Sequence, residues 1–334
     1  MDKTALPASV SRVGLVLIDG FALMSYAATV EPLRAANLLA ERPLYEVSHL
    51  PVSGIRAVSS GGVEIPASAE INEQIELDIV IVIAGGDPGR FEDPRILQWL
   101  RLMARRGVIV GGVSGGPVVL ARAGIMENRR MTVHWEHAPV LDEYFPTLIV
   151  ERTLYVIDRD RLTCGGGTAP LDLMHALIAR QHGSNFARRV SDWFLHTEIR
   201  PSGGPQRAGL AERYRITSAP MVNAIELMET HIADPLDLDS IARLTGIGKR
   251  QLNRLFKEKL AVSTMSFYRN VRLEKARTLL AQSTLPVTEI ALVTGFANSA
   301  HFSHAYKVRY GEPPAAFRRK LLNTFGPASS RDGK

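Results

Sequence analysis

The sequence is poor in cysteine and lacks any long apolar run. Cys164 is the only cysteine among 334 residues, which excludes an intramolecular disulfide and leaves histidine and carboxylate side chains to bind a metal. No apolar run approaches the ~20 residues that a bilayer crossing needs, and the first twelve residues, MDKTALPASVSR, lack the apolar core of a secretory signal. Apolar residues make up 46% and charged residues 22%, which excludes wholesale disorder and fibrous architectures. We therefore expect a cytoplasmic globular protein with no metal, no other cofactor and no membrane partner.

Positive charge is concentrated in the last third of the chain. Residues 210–334 hold 19 Lys and Arg against 11 Asp and Glu, whereas residues 1–209 hold 21 against 23. A basic module on a near-neutral body indicates a polyanionic partner for the last third.

The length suggests two domains, and composition places the boundary between them. Residues 199–219, IRPSGGPQRAGLAERYRITSA, are rich in Pro, Gly, Ser and Arg, which is typical of a linker. We predict a first domain over 10–198, a second over 220–322 and a flexible tail over 323–334.

The first domain alternates between apolar runs and helical patterns. The apolar runs are 13–18, 79–84, 108–113, 154–157 and 161–163, and the main helical patterns are 21–40, 94–106 and 169–182. Nearly continuous apolar strands between helices predict a mostly parallel, flavodoxin-like α/β sheet with helices on both faces. Because ligands bind beyond the carboxyl ends of such strands, the glycine-rich turns there should converge on one crevice.

The second domain reads as all helical and contains a repeat. Ala242 and Gly246 recur as Ala291 and Gly295, 49 residues later. A small residue where two helices cross, followed by a glycine at the turn, is typical of helix-turn-helix units. Between the two copies, 263–282 reads as one long amphipathic helix whose apolar residues share one face. This helix would hold two recognition helices at a fixed separation, so that one chain could enter two neighbouring major grooves.

Residues 220–320 resemble the DNA-binding domain of the AraC/XylS family. The pattern RLxxAxxLL that begins at Arg272 and the ending GEPPxxFR that begins at Gly311 both match that family. The resemblance implies a regulator that binds duplex DNA at promoters.

Each helix-turn-helix copy presents candidate DNA-binding residues. Helical spacing turns Leu252, Leu255 and Phe256 of the first recognition helix (249–259) inward, and Phe302, Ala305 and Tyr306 of the second (299–309). The positions that match base-reading positions of the family are Arg250, Asn253, Arg254, Ser299, Ala300, Ser303 and His304. Arginine can bind guanine and asparagine can bind adenine through two hydrogen bonds, although Arg250 or Arg254 could instead bind phosphate. The candidate phosphate-binding residues are Lys249, Lys257, Lys307 and Arg309. The second helix carries small residues where related regulators often carry Arg or Gln, so it either reads fewer bases or mainly positions the protein.

Ser114 has the setting of a nucleophile elbow. It follows an apolar run and precedes Gly-Gly-Pro and a helical pattern. Residues 12–197 resemble the PfpI amidotransferase-like superfamily, in the form found in GlxA-type AraC regulators. The matching segments are DGF at 19–21, AGG at 84–86, GVSGG at 112–116 and TCGGGTA at 163–169. The resemblance implies that catalytic members carry a cysteine at the elbow and a carboxylate beyond the first strand. This chain has Ser114 and Ser25 at those positions.

Two functions remain open for the first domain. A lone serine needs a base, and neither His134 nor His137 has the spacing of an established triad. We favour a sensor with no catalytic residues over a hydrolase or hydratase. The candidate ligand-binding residues are Asp19, Phe21, Glu31, Gly86, Asp87, Ser114, His134 and Trp135. Aromatic and acidic residues suit a cationic metabolite, and the resemblance implies an amino acid or quaternary amine. Binding would favour one arrangement of a homodimer on promoter DNA and activate transcription, with RNA polymerase as a further expected partner.

Overall fold

The computed structural model describes residues 10–72, 74–282 and 285–325, without the side chains of 282 and 321–325. The chain forms two compact units that divide after Gln206, inside the segment predicted as a linker. The predicted tail is helical as far as Phe325 and otherwise lies outside the described residues. Within the described part of the chain, no helix is long and apolar enough to cross a membrane.

The first unit is built around one sheet. Its strands are β1 (Ser11–Leu17), β2 (Tyr45–Pro51), β3 (Arg56–Val58), β4 (Glu64–Pro66), β5 (Ile79–Ala84), β6 (Ile109–Ser114), β7 (Arg130–Thr132), β8 (Ile149–Glu151), β9 (Tyr155–Asp158) and β10 (Arg161–Cys164). Its helices are α1 (Leu23–Ala40), α2 (Pro94–Arg105), α3 (Gly116–Arg122), α4 (Ala138–Tyr144), α5 (Ala169–His182) and α6 (Ser184–Trp193).

The main sheet has the order β2-β1-β5-β6-β10-β9 and is parallel except for the β10–β9 pair. Helices cover both faces and produce two separate apolar cores: α1, α5 and α6 on one face, α2 and α3 on the other. The predicted α/β class with a mostly parallel sheet is confirmed. β5 is buried along its whole length, which explains why its apolar run was readable in the sequence.

Edge strand β2 was not predicted, because it does not form a continuous apolar run. Its sequence YEVSHLP places Glu46 in solvent and leaves Ser48 and His49 half-buried. Edge strands carry polar side chains because one of their sides faces solvent.

The second unit is all helical, as predicted. It contains α7 (Leu210–Arg213), α8 (Ala219–Thr230), α9 (Leu238–Thr245), α10 (Lys249–Leu260), α11 (Thr264–Gln282), α12 (Val287–Val293), α13 (Ser299–Tyr310) and α14 (Pro314–Phe325). The helix-turn-helix pairs are α9–α10 and α12–α13. Helix α7 and the buried Ile216 belong to this unit, so the second half of the predicted linker is part of its core.

Helix α11 differs in one respect from its prediction. Phe267 and Tyr268 pack into the core of the first helix-turn-helix unit, whereas Leu273, Ala276 and Leu280 pack into the core of the second. Its buried residues therefore serve two cores in succession instead of one continuous face.

Arg272 of α11 fixes the turn of the second helix-turn-helix unit. Its Nε donates to the carbonyl of Thr294 at 2.8 Å, and its guanidinium lies 4.3 Å from the centre of the Phe296 ring. Gly295, at the turn itself, has φ +73°, and a Cβ there would lie 2.5 Å from the carbonyl oxygen of Ile232. Because Ile232 precedes α9, this contact joins the two helix-turn-helix units directly.

Gly295→Ala should therefore destabilise the second unit far more than Gly246→Ala. Both glycines have φ +73°, but a Cβ at Gly246 meets nothing within 4 Å. We expect a loss of about 1 kcal/mol from backbone strain at Gly246 and about 3 kcal/mol from strain plus steric clash at Gly295. Hydrogen exchange of the α9–α13 amides during urea unfolding measures both losses. Equal losses would show that the contact with Ile232 has no energetic role.

Candidate functional site

Ser114 adopts the backbone conformation of a nucleophile elbow. It ends β6 with φ 60°, in the left-handed region that a serine adopts only when its surroundings require it. Gly166 packs against it: a Cβ at Gly166 would lie 2.8 Å from Ser114 Cβ and 2.9 Å from Ser25 Oγ. The elbow serine and Ser25 thus lie on either side of one glycine.

Ser25, at the position where the resemblance implies a carboxylate, makes a structural hydrogen bond. It is completely buried, and its hydroxyl accepts a hydrogen bond from the amide of Gly167 at 2.9 Å. A hydroxyl in that bond holds the 165–168 turn in place but supplies no charge to the elbow. The two positions therefore hold two hydroxyl groups and no acid–thiol pair.

His134 borders the elbow through its backbone. Its amide donates to the carbonyl of Ser114 at 3.2 Å, and its Nδ1 accepts from the amide of Glu136 at 3.3 Å. The ring lies 5.3 Å from that of Trp135 and 5.7 Å from that of His137. Burial lowers the pKa of His134 despite the nearby Glu136 carboxylate, so the imidazole is neutral at pH 7. A neutral imidazole beside the partly exposed Trp135 indole forms a surface suited to a cation.

Two of the other predicted ligand-binding residues, Gly86 and Asp87, lie near Ser114. Gly86 and Asp87 follow β5, whose last residue pairs with Ser114 in register. Asp87 is half-buried and forms an ion pair with Arg90 at 2.9 Å, and burial raises its pKa. They lie at the carboxyl edge of the sheet, as expected.

Asp19, Phe21 and Glu31 have other contacts. Asp19 Oδ1 accepts from the amide of Val58 at 2.8 Å, and Phe21 is fully buried in the core. Glu31 forms an ion pair with Arg34 at 2.6 Å. It lines a separate groove beside the hydrogen-bonded pair of Tyr26 Oη and His49 Nε2. The structure therefore places Gly86, Asp87, Ser114 and the His134 backbone at one edge of the sheet, with Trp135 against His134, whereas Glu31 lines another groove.

Cys164 is a buried core residue with no access to a reactant. It is completely buried at the end of β10, and burial raises the pKa of its thiol to about 12. A protonated, inaccessible thiol is neither nucleophile nor metal ligand.

His137 should make the first unit sensitive to acid. Burial, with a smaller contribution from His134, lowers its pKa from 6.5 to about 4. The unfolded chain then binds more protons between those values, so the stability present above pH 6.5 is lost as the pH falls toward 4. The loss is about 3 kcal/mol, and His137→Gln should remove most of it. Urea unfolding followed by tryptophan fluorescence measures this between pH 7 and pH 4. His304→Gln, in the second unit, serves as the control, and an unchanged slope in His137→Gln would contradict the assignment.

The recognition helices present most of the predicted residues to solvent. Both begin and end close to their predicted limits, and the residues predicted to face inward are buried or half-buried. Exposed side chains belong to Arg250, Arg254, Lys257, Ala300, His304, Lys307 and Arg309. Lys249 is also exposed and forms an ion pair with Asp239 at 2.6 Å, whereas Ser299 and Ser303 are half-buried.

Asn253 has a structural contact that the sequence did not reveal. Its side chain is half-buried, and Oδ1 accepts a hydrogen bond from the amide of Thr264 at 3.1 Å. Thr264 is the first residue of α11, so Asn253 ties the recognition helix to the connecting helix. This contact commits its carbonyl oxygen, and a bidentate bond to adenine needs that oxygen.

A segment that the sequence indicated as free linker is instead attached to the first unit. We call residues 199–206 the strap. Arg200 binds the buried carboxylate of Asp172, the amide of Leu154 donates to the carbonyl of Ser202 at 3.0 Å, and Pro205 forms a bridge with Thr153. The sequence did not predict these contacts, because they involve backbone groups and two polar side chains, which a Pro- and Gly-rich composition does not indicate.

Gln206 ends the strap close to the elbow. Its Nε2 lies 2.9 Å from the carbonyl of Val133 and 2.6 Å from that of Thr153, and its side chain packs on Gly165. Val133 precedes His134, and Gly165 precedes the glycine that touches Ser114. No motif in the sequence marks this glutamine as part of the site.

Comparisons with known proteins agree with this architecture. Residues 11–180 match the model of the DJ-1/PfpI family, and residues 241–320 match that of a helix-turn-helix domain. The chain is 45% identical over 313 residues to the HTH-type transcriptional regulator GlxA of Rhizobium meliloti (strain 1021), covering 93% of this chain and 97% of that protein. It is 27% identical over 199 residues to the isonitrile hydratase of Pseudomonas putida, covering 58% of this chain and 86% of the enzyme.

A solved structure shows the same fold for the first unit. The crystal structure of an AraC family transcriptional regulator from Pseudomonas putida has a TM-score of 0.51 and 28% identity, and it covers 55% of this chain and 99% of that one. The extent of the GlxA match, with both domain models in the same order, shows that this chain belongs to the GlxA-type AraC family of transcriptional regulators, with a DJ-1/PfpI domain before its DNA-binding domain.

Proposed function

We propose that the first unit is a non-catalytic sensor whose occupancy controls how the helix-turn-helix units engage promoter DNA. The observation that carries the proposal is the elbow itself. It retains the left-handed backbone of Ser114 and the close approach of Gly166, yet its two reactive positions hold a serine and a hydrogen-bonded, buried Ser25. A strained site kept without its nucleophile and acid fits binding better than turnover.

We propose a small cationic effector, of the amino acid or quaternary amine class. The indole of Trp135 and the neutral imidazole of His134 offer aromatic faces. Asp87 supplies a carboxylate on the neighbouring turn, partly offset by Arg90. Asp19 and Phe21 have structural contacts and Glu31 lines another groove, so we leave these three residues out of the proposed lining.

The strap offers a route from the effector to DNA. Gln206 contacts the backbone one residue before His134, and the second unit begins at the next residue, Arg207. A ligand that shifts the 133–135 segment would therefore loosen or tighten the last anchor before the DNA-binding unit. Such a ligand changes the equilibrium only by its differential affinity for the two arrangements.

We also propose that the protein acts as a homodimer together with RNA polymerase. Paired operator half-sites would require a homodimer, and activation would require RNA polymerase at the same promoter. We propose both as consequences of the family architecture. Arg250, Arg254, Ser299, Ala300, Ser303 and His304 would read bases, with Lys249, Lys257, Lys307 and Arg309 on phosphates.

A thermal-shift panel tests the sensor. Glycine betaine, arginine and putrescine are each added to the full-length protein, and unfolding of the first unit is followed by tryptophan fluorescence. We expect at least one to raise the melting temperature, by an amount equivalent to about 2.7 kcal/mol at a hundredfold excess over Kd. Trp135→Ala should abolish the rise, while Trp193→Ala, which removes another exposed tryptophan, should retain it. A panel without any rise contradicts the cationic class, and a rise that survives Trp135→Ala places the site elsewhere.

The enzyme alternative has one supporting observation, the similarity to isonitrile hydratase. We propose that this chain has no such activity. The carboxylate position holds Ser25, whose hydroxyl is bound to the Gly167 amide, and the described residues show no hydrogen bond between the Ser114 hydroxyl and the His134 imidazole, whose Nδ1 accepts from Glu136. Incubation with an isonitrile should give no formamide product. Turnover that disappears in Ser114→Ala would overturn the sensor proposal.

A further inference from the structure

A groove rich in arginine lies at the end of the sheet opposite Ser114. Four arginines line it: Arg101 and Arg105 from the end of α2, Arg129 from the segment before β7, and Arg161 from the start of β10. Its volume is about 400 Å³, within the range of small-molecule sites. Arg161 pairs in register with Val110, four residues before Ser114, so the two sites are about 13 Å apart along the strands.

Two of the arginines are held by backbone carbonyls. Arg101 Nε donates to the carbonyl of Ala123 at 2.8 Å, and Arg161 Nε donates to that of Ile125 at 3.0 Å. Both bonds are made to the turn after α3. They fix the two guanidinium groups before any ligand arrives, which reduces the entropy cost of binding.

Positive charge exceeds negative charge in this groove. Asp160 binds Arg129 at 2.7 Å and Arg161 at 2.8 Å, and Glu127 is the acidic residue in the lining. Four guanidinium groups thus face two carboxylates. Arg129 Nη1 is buried and has no hydrogen-bond acceptor, although a buried donor normally has one.

Arg161 shows the effect of this excess. It is almost fully buried, and its pKa is lowered by burial and further by the positive charges of Arg129 and Arg159, with Asp160 acting in the opposite sense. An anion in the groove would relieve that repulsion.

We propose that the arginine groove binds a small ligand that carries a phosphoryl group, at a site separate from the effector crevice. A tetrahedral phosphoryl group has several acceptor oxygens, so it can bind guanidinium groups from different elements at once. One oxygen would satisfy Arg129 Nη1. The ligand would act as a second input to the first unit, because it bridges α2, the turn after α3 and β10.

Inorganic pyrophosphate is the probe for this site in the full-length protein. Trp99, Trp135 and Trp193 are the three tryptophans and all lie in the first unit, so fluorescence-detected unfolding reports this unit and not the DNA-binding one. Pyrophosphate should raise the unfolding midpoint of the wild type, and sodium chloride at the same ionic strength should not. An equal effect of sodium chloride overturns the proposal, and so does the absence of any rise.

Variants locate the binding. Arg105→Gln changes an exposed side chain at the rim, and it should weaken pyrophosphate binding about tenfold without a change in fold. The double variant Arg105→Gln, Arg129→Gln should abolish the rise. Arg152→Gln is the matched control, because Arg152 is an exposed arginine of the same unit that pairs with Asp142. Unchanged binding in Arg105→Gln overturns the assignment to this groove.

Duplex DNA is the competing phosphate source. A short random duplex should leave the effect of pyrophosphate on the first unit intact. Displacement of pyrophosphate by the duplex would assign the groove to the DNA backbone instead and overturn the small-ligand proposal.

Discussion

Arg254→Ala should weaken binding to a selected operator by about 1–3 kcal/mol, or about 5- to 150-fold, with little effect on random DNA. The Arg254 side chain projects from α10 into solvent, and among the described residues its ion pair is a long one with Glu258, at 3.6 Å. It is therefore free to form the two parallel bonds by which arginine reads guanine. An operator obtained by selection from random sequences provides the probe, and titration at a fixed salt concentration measures both affinities.

Lys307→Ala is the contrasting variant. The exposed Lys307 lies in the last turns of α13, where a compact ammonium suits a phosphate. Its removal should weaken specific and random DNA alike and reduce the slope of affinity against salt by about one. If Arg254→Ala and Lys307→Ala change both affinities in the same way, the distinction between base reading and phosphate binding is wrong.

Asp172→Ala should release the strap and destabilise the first unit by about 3 kcal/mol. The Asp172 carboxylate has no solvent exposure and accepts four hydrogen bonds, from His196 Nε2 at 2.8 Å and from the amide, Nε and Nη2 of Arg200 at 2.9, 2.9 and 2.6 Å. Without the carboxylate, the Arg200 amide and the His196 ring lose their acceptor. The Arg200 side chain is partly exposed to solvent. The expected loss of stability is therefore at the lower end of the range for breaking a buried ion pair.

The consequences for the strap can be measured separately. Trypsin should cleave after Arg207, which precedes Ala208, faster in Asp172→Ala than in the wild type, and an effector should no longer change DNA affinity. Asp142→Ala is the control, because its pair with Arg152 has a separation of 2.8 Å, close to the 2.6 Å between Asp172 and Arg200, but both partners are more than half exposed. It should cost less than about 1 kcal/mol. Unchanged effector control in Asp172→Ala would show that the strap does not couple the units.

Much of the fold could be predicted because the sequence patterns that indicate it are local. The continuous apolar run of β5 and the Ala-x3-Gly repeat each depend on residues close together in the chain. Strand β2 was not readable, because an edge strand mixes polar and apolar residues. The two-core role of α11 was missed because Tyr268 is buried next to Phe267, and a periodic pattern does not show which partner each turn will meet.

The candidate site was only partly readable. Ser114 and Ser25 could be placed from motif positions, and the structure brings them to the same glycine. Glu31 was assigned from its acidic character, but helix α1 carries it into another groove. The position of Gln206 and the arginine groove could not be predicted, because both depend on contacts between segments that are far apart in the sequence. The predicted base-reading role of Asn253 competes with its hydrogen bond to the amide of Thr264, a residue eleven positions later in the chain and in the next helix.

Hydroxyl-radical footprinting on the selected operator tests whether one rigid second unit places α10 and α13 in neighbouring major grooves. We expect two protected tracts for each protomer on one face of the duplex, about 10 bp apart. His304→Ala should reduce protection in one tract and Arg254→Ala in the other. A single protected tract for each protomer, affected by only one of the two variants, would show that α10 and α13 do not both enter the major groove.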